Sequence, residues 1–120
     1  MNTVILERNG ERIMECMPGE PLFSSPDDVA DVIGHCAGEH VSRLLFYPEN
    51  LTMRFFELGS GEAGAILQKF RNYHVRVALV VPSERDTGKR FREMAIEENR
   101  GVWFHVCDDR EKALEWLAGG

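Results

Sequence analysis

A serine flanked by two glycines, Gly59-Ser60-Gly61, is the tripeptide of this sequence best suited to carry chemistry. The glycines allow close backbone approach and unusual dihedral angles. An apolar helical face begins just after them at Ala63, so Ser60 is expected at a helix amino terminus with an accessible hydroxyl. A phosphoryl group there would be favoured by the helix dipole, and its charge could switch a binding surface. The alternative is that Ser60 only caps the helix.

A second polar segment, from Pro82 to Lys89, contains a Gly-Lys pair but does not match a phosphate-binding loop. That motif needs a glycine five residues before the pair's glycine and a Ser or Thr after its lysine. Here those two positions hold Ser83 and Arg90. Lys89 and the neighbouring arginines still form a basic cluster in an acidic protein. The cluster is either a solvated helix face or a landing patch for a phosphate or an acidic partner.

A third set of candidates follows the strand predicted at residues 43–47. Glu49 could act as an acid or base, although nothing in the sequence marks its carboxylate as perturbed. Phe55 and Phe56 are consecutive and so are not expected to face the same core, which leaves one for a partner or small ligand. The alternative is a short helical turn packed over the sheet. The predicted binding or switch residues are therefore Glu49, Asn50, Phe55, Ser60 and Lys89.

No catalytic, metal or cofactor motif stands out elsewhere. His35 and Cys36 are adjacent, so a helix points them in different directions, and His40 lies beyond Gly38. No second cluster completes a tetrahedral metal site. The histidines have no associated Ser or Cys signature of nucleophilic catalysis. The sequence therefore favours a protein that is not an enzyme, with no catalytic residues, no metal and no cofactor.

Composition narrows the class of protein. The 120 residues fit one domain, and the net charge of −6 argues against nucleic acid and anionic membrane surfaces as partners. The amino terminus has no basic region of a signal peptide, and the longest apolar stretch, residues 77–82, is too short to cross a bilayer. Cys16, Cys36 and Cys107 are an odd number at wide spacing, typical of reduced thiols. We therefore expect a cytoplasmic protein.

The opening segment predicts an antiparallel hairpin. Residues Thr3–Arg8 and Glu11–Met17 are strand-like and flank Asn9-Gly10, which suits a type I′ turn because both central residues need positive φ.

Helices and strands alternate after the hairpin. A helix is expected from Ser25-Pro26-Asp27-Asp28 to Gly38, and a last helix is expected to open with a capping box of Asp108 and Glu111. Between them we predict strands at 43–47, 75–81 and 102–107, and helices at 61–73 and 86–99. Residues 75–81 lack alternation and should form a central strand that buries Val77 and Leu79.

The predicted order, β-β-α-β-α-β-α-β-α, implies a single mixed, mostly parallel five-stranded sheet. The hairpin adds one antiparallel edge strand, and helices cover both faces. In such a sheet the loops that leave the carboxyl ends of the parallel strands converge on one crevice. Those loops are residues 48–61, 82–89 and 107–109, which contain the candidate residues.

The run "NLTMRFFELGSGEAGAILQKF" followed by "YHVRVALVV" resembles a family of small bacterial proteins described as domain of unknown function 4180. The resemblance covers nearly the whole chain, including the Asn-Gly hairpin and the final "ALEWL". It implies membership of that family and no particular activity.

More distantly, the element order and "GSGEAGAIL" are similar to STAS domains and SpoIIAA-like proteins. In those proteins this stretch opens the second helix and carries a phosphorylatable serine, which matches Ser60. Those regulators place an acidic residue where this chain has Gly59. The resemblance implies a STAS-like fold and a regulatory role.

The leading hypothesis is a non-enzymatic regulatory or protein-binding module of STAS-like type. The alternative is a small-ligand-binding protein or unrecognised enzyme that uses the crevice at the carboxyl ends of the strands. A third alternative is a homo-oligomer formed through the hairpin edge.

Overall fold

The computed structural model describes residues 2–19 and 26–119 of the chain. The strands are β1 (Thr3–Arg8), β2 (Glu11–Cys16), β3 (Arg43–Phe46), β4 (Arg76–Val80) and β5 (Phe104–Cys107). The helices are α1 (Val29–Gly38), α2 (Met53–Phe56), α3 (Glu62–Asn72), α4 (Lys89–Glu98) and α5 (Arg110–Gly119). The predicted order lacked α2, a single helical turn between β3 and α3, which is the alternative given above for Phe55 and Phe56. The predicted cap Ser25 lies outside the described residues.

The five strands form one mixed sheet in the order β1-β2-β3-β4-β5. β1 is antiparallel to β2, and each later pair of neighbours is parallel, which confirms the predicted mostly parallel sheet. The hairpin turn has φ of 53° at Asn9 and 80° at Gly10, as a type I′ turn requires. Because this turn has two residues, Arg8 lies opposite Glu11 and the register of the whole hairpin follows.

Helices cover both faces of the sheet, as predicted. One core lies beneath α1, α3 and α4 and contains five fully buried phenylalanines, at positions 46, 55, 70, 91 and 104. The other core lies beneath α5, where Leu114 and Leu117 pack on Ile13, Leu45 and Ala78. Leu44 and Leu45 belong to different cores because successive strand residues point to opposite faces.

β4 is the central covered strand that its apolar sequence predicts. Val77 is 1% exposed and Leu79 is 0% exposed, and both belong to the core under the three helices. Ala78 packs in the core under α5. The uninterrupted apolar run therefore reflects burial of both faces of the strand.

The connections after β4 and β5 leave the sheet toward opposite faces. The first leads to α4 in the three-helix layer, and the second leads to α5 on the other side. Such a divergence opens a crevice between the carboxyl ends of two neighbouring strands.

The predicted capping box of α5 is wrong by one position. The side chain of Asp109, not Asp108, accepts the backbone N–H of Lys112 at 2.8 Å. Asp108 instead binds the Lys112 ammonium group, and Glu111 binds Arg8 across 3.0 Å. The two aspartates are adjacent, and the helix begins one residue later than the box requires. None of the helices in the described residues is long and apolar enough to cross a membrane.

Candidate functional site

Ser60 lies two residues before the start of α3, at the end of a 3₁₀ turn formed by Leu58–Ser60. Its hydroxyl donates a hydrogen bond to the carbonyl oxygen of Arg54 (2.7 Å) and accepts one from the Glu62 N–H (3.2 Å). Gly61 between them has a φ of 76°, a value that glycine adopts readily. The serine is half-buried, and its hydroxyl satisfies one of the unpaired N–H groups of the first helical turn.

The first residue of α3 anchors the preceding connection. The carboxylate of Glu62 is almost fully buried. It accepts hydrogen bonds from the Thr52 hydroxyl and from Nε of Arg54, each at 3.1 Å. These bonds link α2 and the residue before it to the amino terminus of α3, on either side of Ser60.

Two of the predicted binding residues, Asn50 and Phe55, are fully buried. The Asn50 side chain accepts the Tyr47 N–H at 2.8 Å and donates to the Met17 carbonyl at 3.0 Å, which links the end of β2 to the turn after β3. The Phe55 ring packs edge-on against Phe46, with the ring centroids 6.5 Å apart. Both side chains are therefore buried contacts that hold the connection between β3 and α3 against the sheet, and neither is exposed to a partner.

Glu49 contacts the segment of residues 82–89, the second of the loops predicted to converge. Its carboxylate lies 4.0 Å from the guanidinium of Arg85, and both side chains are exposed. The Arg85 guanidinium also lies 5.6 Å from the ring centroid of Phe56, the partly exposed member of the aromatic pair. Lys89 begins α4, is largely exposed and pairs with Glu93 one turn later. Its side chain lies on a solvated helix face.

The crevice between β4 and β5 is a cavity of about 190 Å³. Its walls include Ser83, Arg85 and Thr87 from the connection after β4, Arg92 from α4, and Cys107 from β5. Arg92 lies 3.3 Å from the carboxylate of Asp86, which also accepts the Gly88 N–H at 2.9 Å. Two cations and two hydroxyl groups therefore surround a small space at the carboxyl ends of the strands, and the Asp108 carboxylate, paired with Lys112, also lines it.

A second opening, the α3–α4 groove, has a volume of about 360 Å³. Small residues of α3 and the residue before it line one wall, and Leu67 and Met94 contribute apolar surface. Arg71 and Glu98, 3.5 Å apart, also line it. A Cβ added to Gly64 would meet no atom within 4 Å. The groove is therefore open above Gly64, and it begins at Gly61, next to Ser60.

The strongest polar cluster was missed by the sequence analysis. Glu15 in β2 is only 8% exposed, and its carboxylate accepts two hydrogen bonds from Arg110, at 2.9 and 3.0 Å, and one from the Tyr47 hydroxyl. Burial raises the pKa of Glu15, but Arg110 and Tyr47 outweigh it, so that the pKa lies below its usual value. The signal in the sequence was a glutamate between two apolar residues, Met14 and Cys16, in a predicted strand.

This cluster holds α5 against the sheet. Burial, then the neighbouring Glu15 carboxylate, raises the pKa of Tyr47, so its phenol stays protonated and keeps donating to Glu15. Arg110 is the first residue of α5, whereas Glu15 and Tyr47 lie on β2 and just after β3. Every group in the cluster has a partner within it, which is typical of a structural network.

The thiols are poorly suited to nucleophilic chemistry. Cys16, Cys36 and Cys107 are free, and burial raises the pKa of Cys16 to about 12 and that of the other two to about 11. The thiolate is the reactive form, so all three stay protonated near neutral pH. Within residues 2–19 and 26–119, no three His, Cys, Asp or Glu side chains gather as a metal-binding group.

Comparison with protein families identifies the chain. The model of the family described as domain of unknown function (DUF4180) matches residues 8–117. The chain belongs to this family. The match extends from the last residue of β1 into α5, so it includes strands β2–β5, the crevice and the α3–α4 groove. No curated protein and no solved structure matches the chain.

Proposed function

We propose that this DUF4180 protein is a cytoplasmic, non-enzymatic regulatory module of STAS-like type that binds a protein partner at Ser60 and the α3–α4 groove. The observation that carries the proposal is the position of an open, partly apolar groove directly beside a serine at a helix amino terminus. The free, protonated thiols are consistent with a reducing compartment and with the absence of cysteine chemistry.

The groove suits a protein segment that inserts one apolar side chain. Gly61, Ala63 and Gly64 leave room for a partner's backbone to approach, while Leu67 and Met94 offer apolar contacts. Methionine adapts its shape to different partners. Arg71 and Glu98 provide a polar border where hydrogen bonds can fix the orientation of the segment.

Ser60 is suited to control this surface. A phosphoryl group on its oxygen would add negative charge at the end of the groove, beside the amino terminus of α3. The hydroxyl would have to release the Arg54 carbonyl, so modification would also loosen the contact between α2 and α3. The similarity of this stretch to STAS domains supports the same role.

The first expected result concerns proteins retained from a lysate of the source organism by the immobilised chain. Gly64→Gln should remove a specific partner because the longer side chain fills the groove. Gly34→Gln is the matched control, since Gly34 is also an exposed helical glycine with free space above it but lies in α1. Both substitutions should raise the free energy of unfolding by somewhat less than 1 kcal/mol, because glycine is a poor helix former.

Ser60 variants complete the same experiment. Ser60→Asp should change retention of the partner lost with Gly64→Gln, while its melting temperature stays close to that of the wild type. Ser60→Ala should lower stability by about 1 kcal/mol through loss of the cap and leave binding unchanged. If the wild type, Gly64→Gln and Ser60→Asp retain identical proteins, the proposal is wrong.

A second candidate function is the binding of a small anion in the crevice between β4 and β5. The position of Arg85 and Arg92 around that cavity, at the point where the connections diverge, favours it. Guanidinium groups bind phosphate and carboxylate oxygens in pairs of hydrogen bonds.

Inorganic phosphate is the probe for this candidate, and thermal unfolding is the measurement. Phosphate should raise the melting temperature of the wild type and of Arg90→Gln, because Arg90 lies on the same helix but does not line the cavity. In Arg92→Gln the increase in melting temperature should be smaller, because the part that comes from phosphate bound in the cavity is lost. Equal shifts in all three proteins would mean that phosphate acts only through general exclusion from the surface.

A further inference from the structure

The two edges of the sheet differ in how they are protected. At one edge, the side chain of Asn99 binds the β5 backbone twice: its Oδ1 accepts the Val106 N–H at 2.8 Å and its Nδ2 donates to the Val106 carbonyl at 3.1 Å. This amide occupies the positions that a neighbouring strand would use. β5 is also short, with four residues. The β5 edge is therefore blocked to further pairing.

The opposite edge is β1, a six-residue strand at the end of the sheet. Edge strands are usually protected by lysine, proline or a bulge. β1 contains neither lysine nor proline, its two charged residues, Glu7 and Arg8, lie together at its carboxyl end, and its pairing with β2 runs without interruption from Thr3 to Arg8. Val4 is 47% exposed on this strand. Among residues 2–19 and 26–119, the β1 edge therefore lacks the protection that β5 has.

The hairpin register determines which backbone groups of β1 face outward. Across a two-residue type I′ turn the flanking residues, Arg8 and Glu11, form a hydrogen-bonded pair. Hydrogen-bonded and non-hydrogen-bonded pairs alternate along an antiparallel ladder. Val4 and Leu6 therefore direct their N–H and C=O groups toward β2, whereas Thr3, Ile5 and Glu7 direct theirs away from it.

We propose that the protein forms a two-fold symmetric homodimer in which β1 pairs antiparallel with β1 of a second copy, with the axis at Ile5. This interface would join two five-stranded sheets into one of ten strands. It goes beyond the proposed function, because β1 contributes no residue to the α3–α4 groove.

Residue types along β1 select this register. With the axis at Ile5, Thr3 lies opposite Glu7 of the second copy, Val4 lies opposite Leu6, and no like charges meet. An axis at Glu7 would place two carboxylates opposite each other, which is destabilising. An axis at Thr3 or Val4 would shorten the paired segment. An axis at Leu6 would place Thr3 opposite the turn residue Asn9 and leave Asn2, which continues the ladder to Met17, without a partner. The register at Ile5 is thus the one that pairs the longest segment, residues 2–8, without charge repulsion.

The same register also covers apolar surface. Val4 and Leu6 both lie on the α5 face of the sheet, because Leu6 packs with the core under α5. In the dimer these two side chains and their symmetry mates form one apolar stripe across the interface. The exposed fraction of Val4 falls as a result, and cross-strand apolar pairs of this kind stabilise a sheet.

The oligomeric state is tested by sedimentation equilibrium over a range of protein concentrations. The wild type should show a reversible monomer–dimer equilibrium. Val4→Lys should raise the dimer Kd about tenfold or more, because it places a charge in the apolar stripe. The control is Val102→Lys, at an exposed valine just before β5, which should leave the Kd unchanged. A wild type that stays monomeric up to its solubility limit overturns the proposal.

Cysteine cross-linking tests the register independently. Val4 and Leu6 of the other copy would form a non-hydrogen-bonded pair with Cα atoms about 4.5 Å apart, within reach of a disulfide. A mixture of Val4→Cys and Leu6→Cys proteins should therefore give a cross-linked heterodimer under mild oxidation, and neither variant alone should. The native thiols compete little because burial raises the pKa of each. Cross-linking of Val4→Cys with itself, or no cross-link in the mixture, would contradict the proposed register.

Discussion

Leu79→Ala is expected to lower the free energy of unfolding by about 2–5 kcal/mol, the range for truncating a fully buried leucine. Leu79 lies in the middle of the sheet on β4 and is fully buried in the core under α1, α3 and α4. The loss combines the transfer of the missing methyl groups with the cost of the cavity that remains. The measurement is urea-induced unfolding followed by circular dichroism.

An exposed aliphatic residue provides the control for this substitution. Ile96 lies on α4 and is 59% exposed, so Ile96→Ala should change the free energy of unfolding by about 0.5 kcal/mol or less. A loss below about 0.5 kcal/mol for Leu79→Ala itself would mean that β4 is not the central strand.

Arg110→Ala is expected to lower the free energy of unfolding by about 2–3 kcal/mol at neutral pH. The substitution leaves the buried carboxylate of Glu15 without its cation, and stranding a buried charge costs more than the pair contributed. We place the loss below that of a fully buried pair because Arg110 is partly exposed. Urea unfolding at neutral and acidic pH is the measurement.

The pH dependence separates this effect from a general loss of packing. The folded-state pKa of Glu15 is lowered, so its ionised form stabilises the fold above the unfolded-state pKa of about 4.3. That stabilisation is lost as the pH falls through the lower, folded-state pKa. The difference between wild type and Arg110→Ala should therefore shrink on acidification below about pH 4. A difference that is independent of pH would contradict this explanation.

Two variants complete the test of the cluster. Glu15→Gln in the Arg110→Ala background should restore part of the lost stability, because the neutral amide costs less to bury than an unpaired carboxylate. Lys112→Ala removes an exposed pair with Asp108 on the same helix and should have a much smaller effect. If Arg110→Ala and Lys112→Ala lower the free energy of unfolding equally, the Glu15–Arg110 pair stabilises the fold no more than an exposed ion pair does, and the prediction is wrong.

Prediction of the candidate site was less complete than that of the fold. The position of Ser60 before a helix follows from the helical spacing of the apolar residues in α3, which can be recognised from the sequence alone. The burial of Asn50 and Phe55 does not follow, because consecutive polar and aromatic residues carry no period that separates inside from outside. Only docking of the connection against Phe46 and the end of β2 assigns Phe55 to the core and Phe56 to its border.

The sequence by itself determined the hairpin, the central strand and the mixed sheet, because each depends on local rules. Asn9-Gly10 requires positive φ, the run through β4 requires burial on both faces, and alternating strands and helices require parallel pairing. Tertiary structure alone decided the Glu15–Arg110 pair, whose members are 95 residues apart, and the α3–α4 groove. Both arise where elements distant in the chain meet, and the spacing between such elements is set by how whole side-chain layers pack.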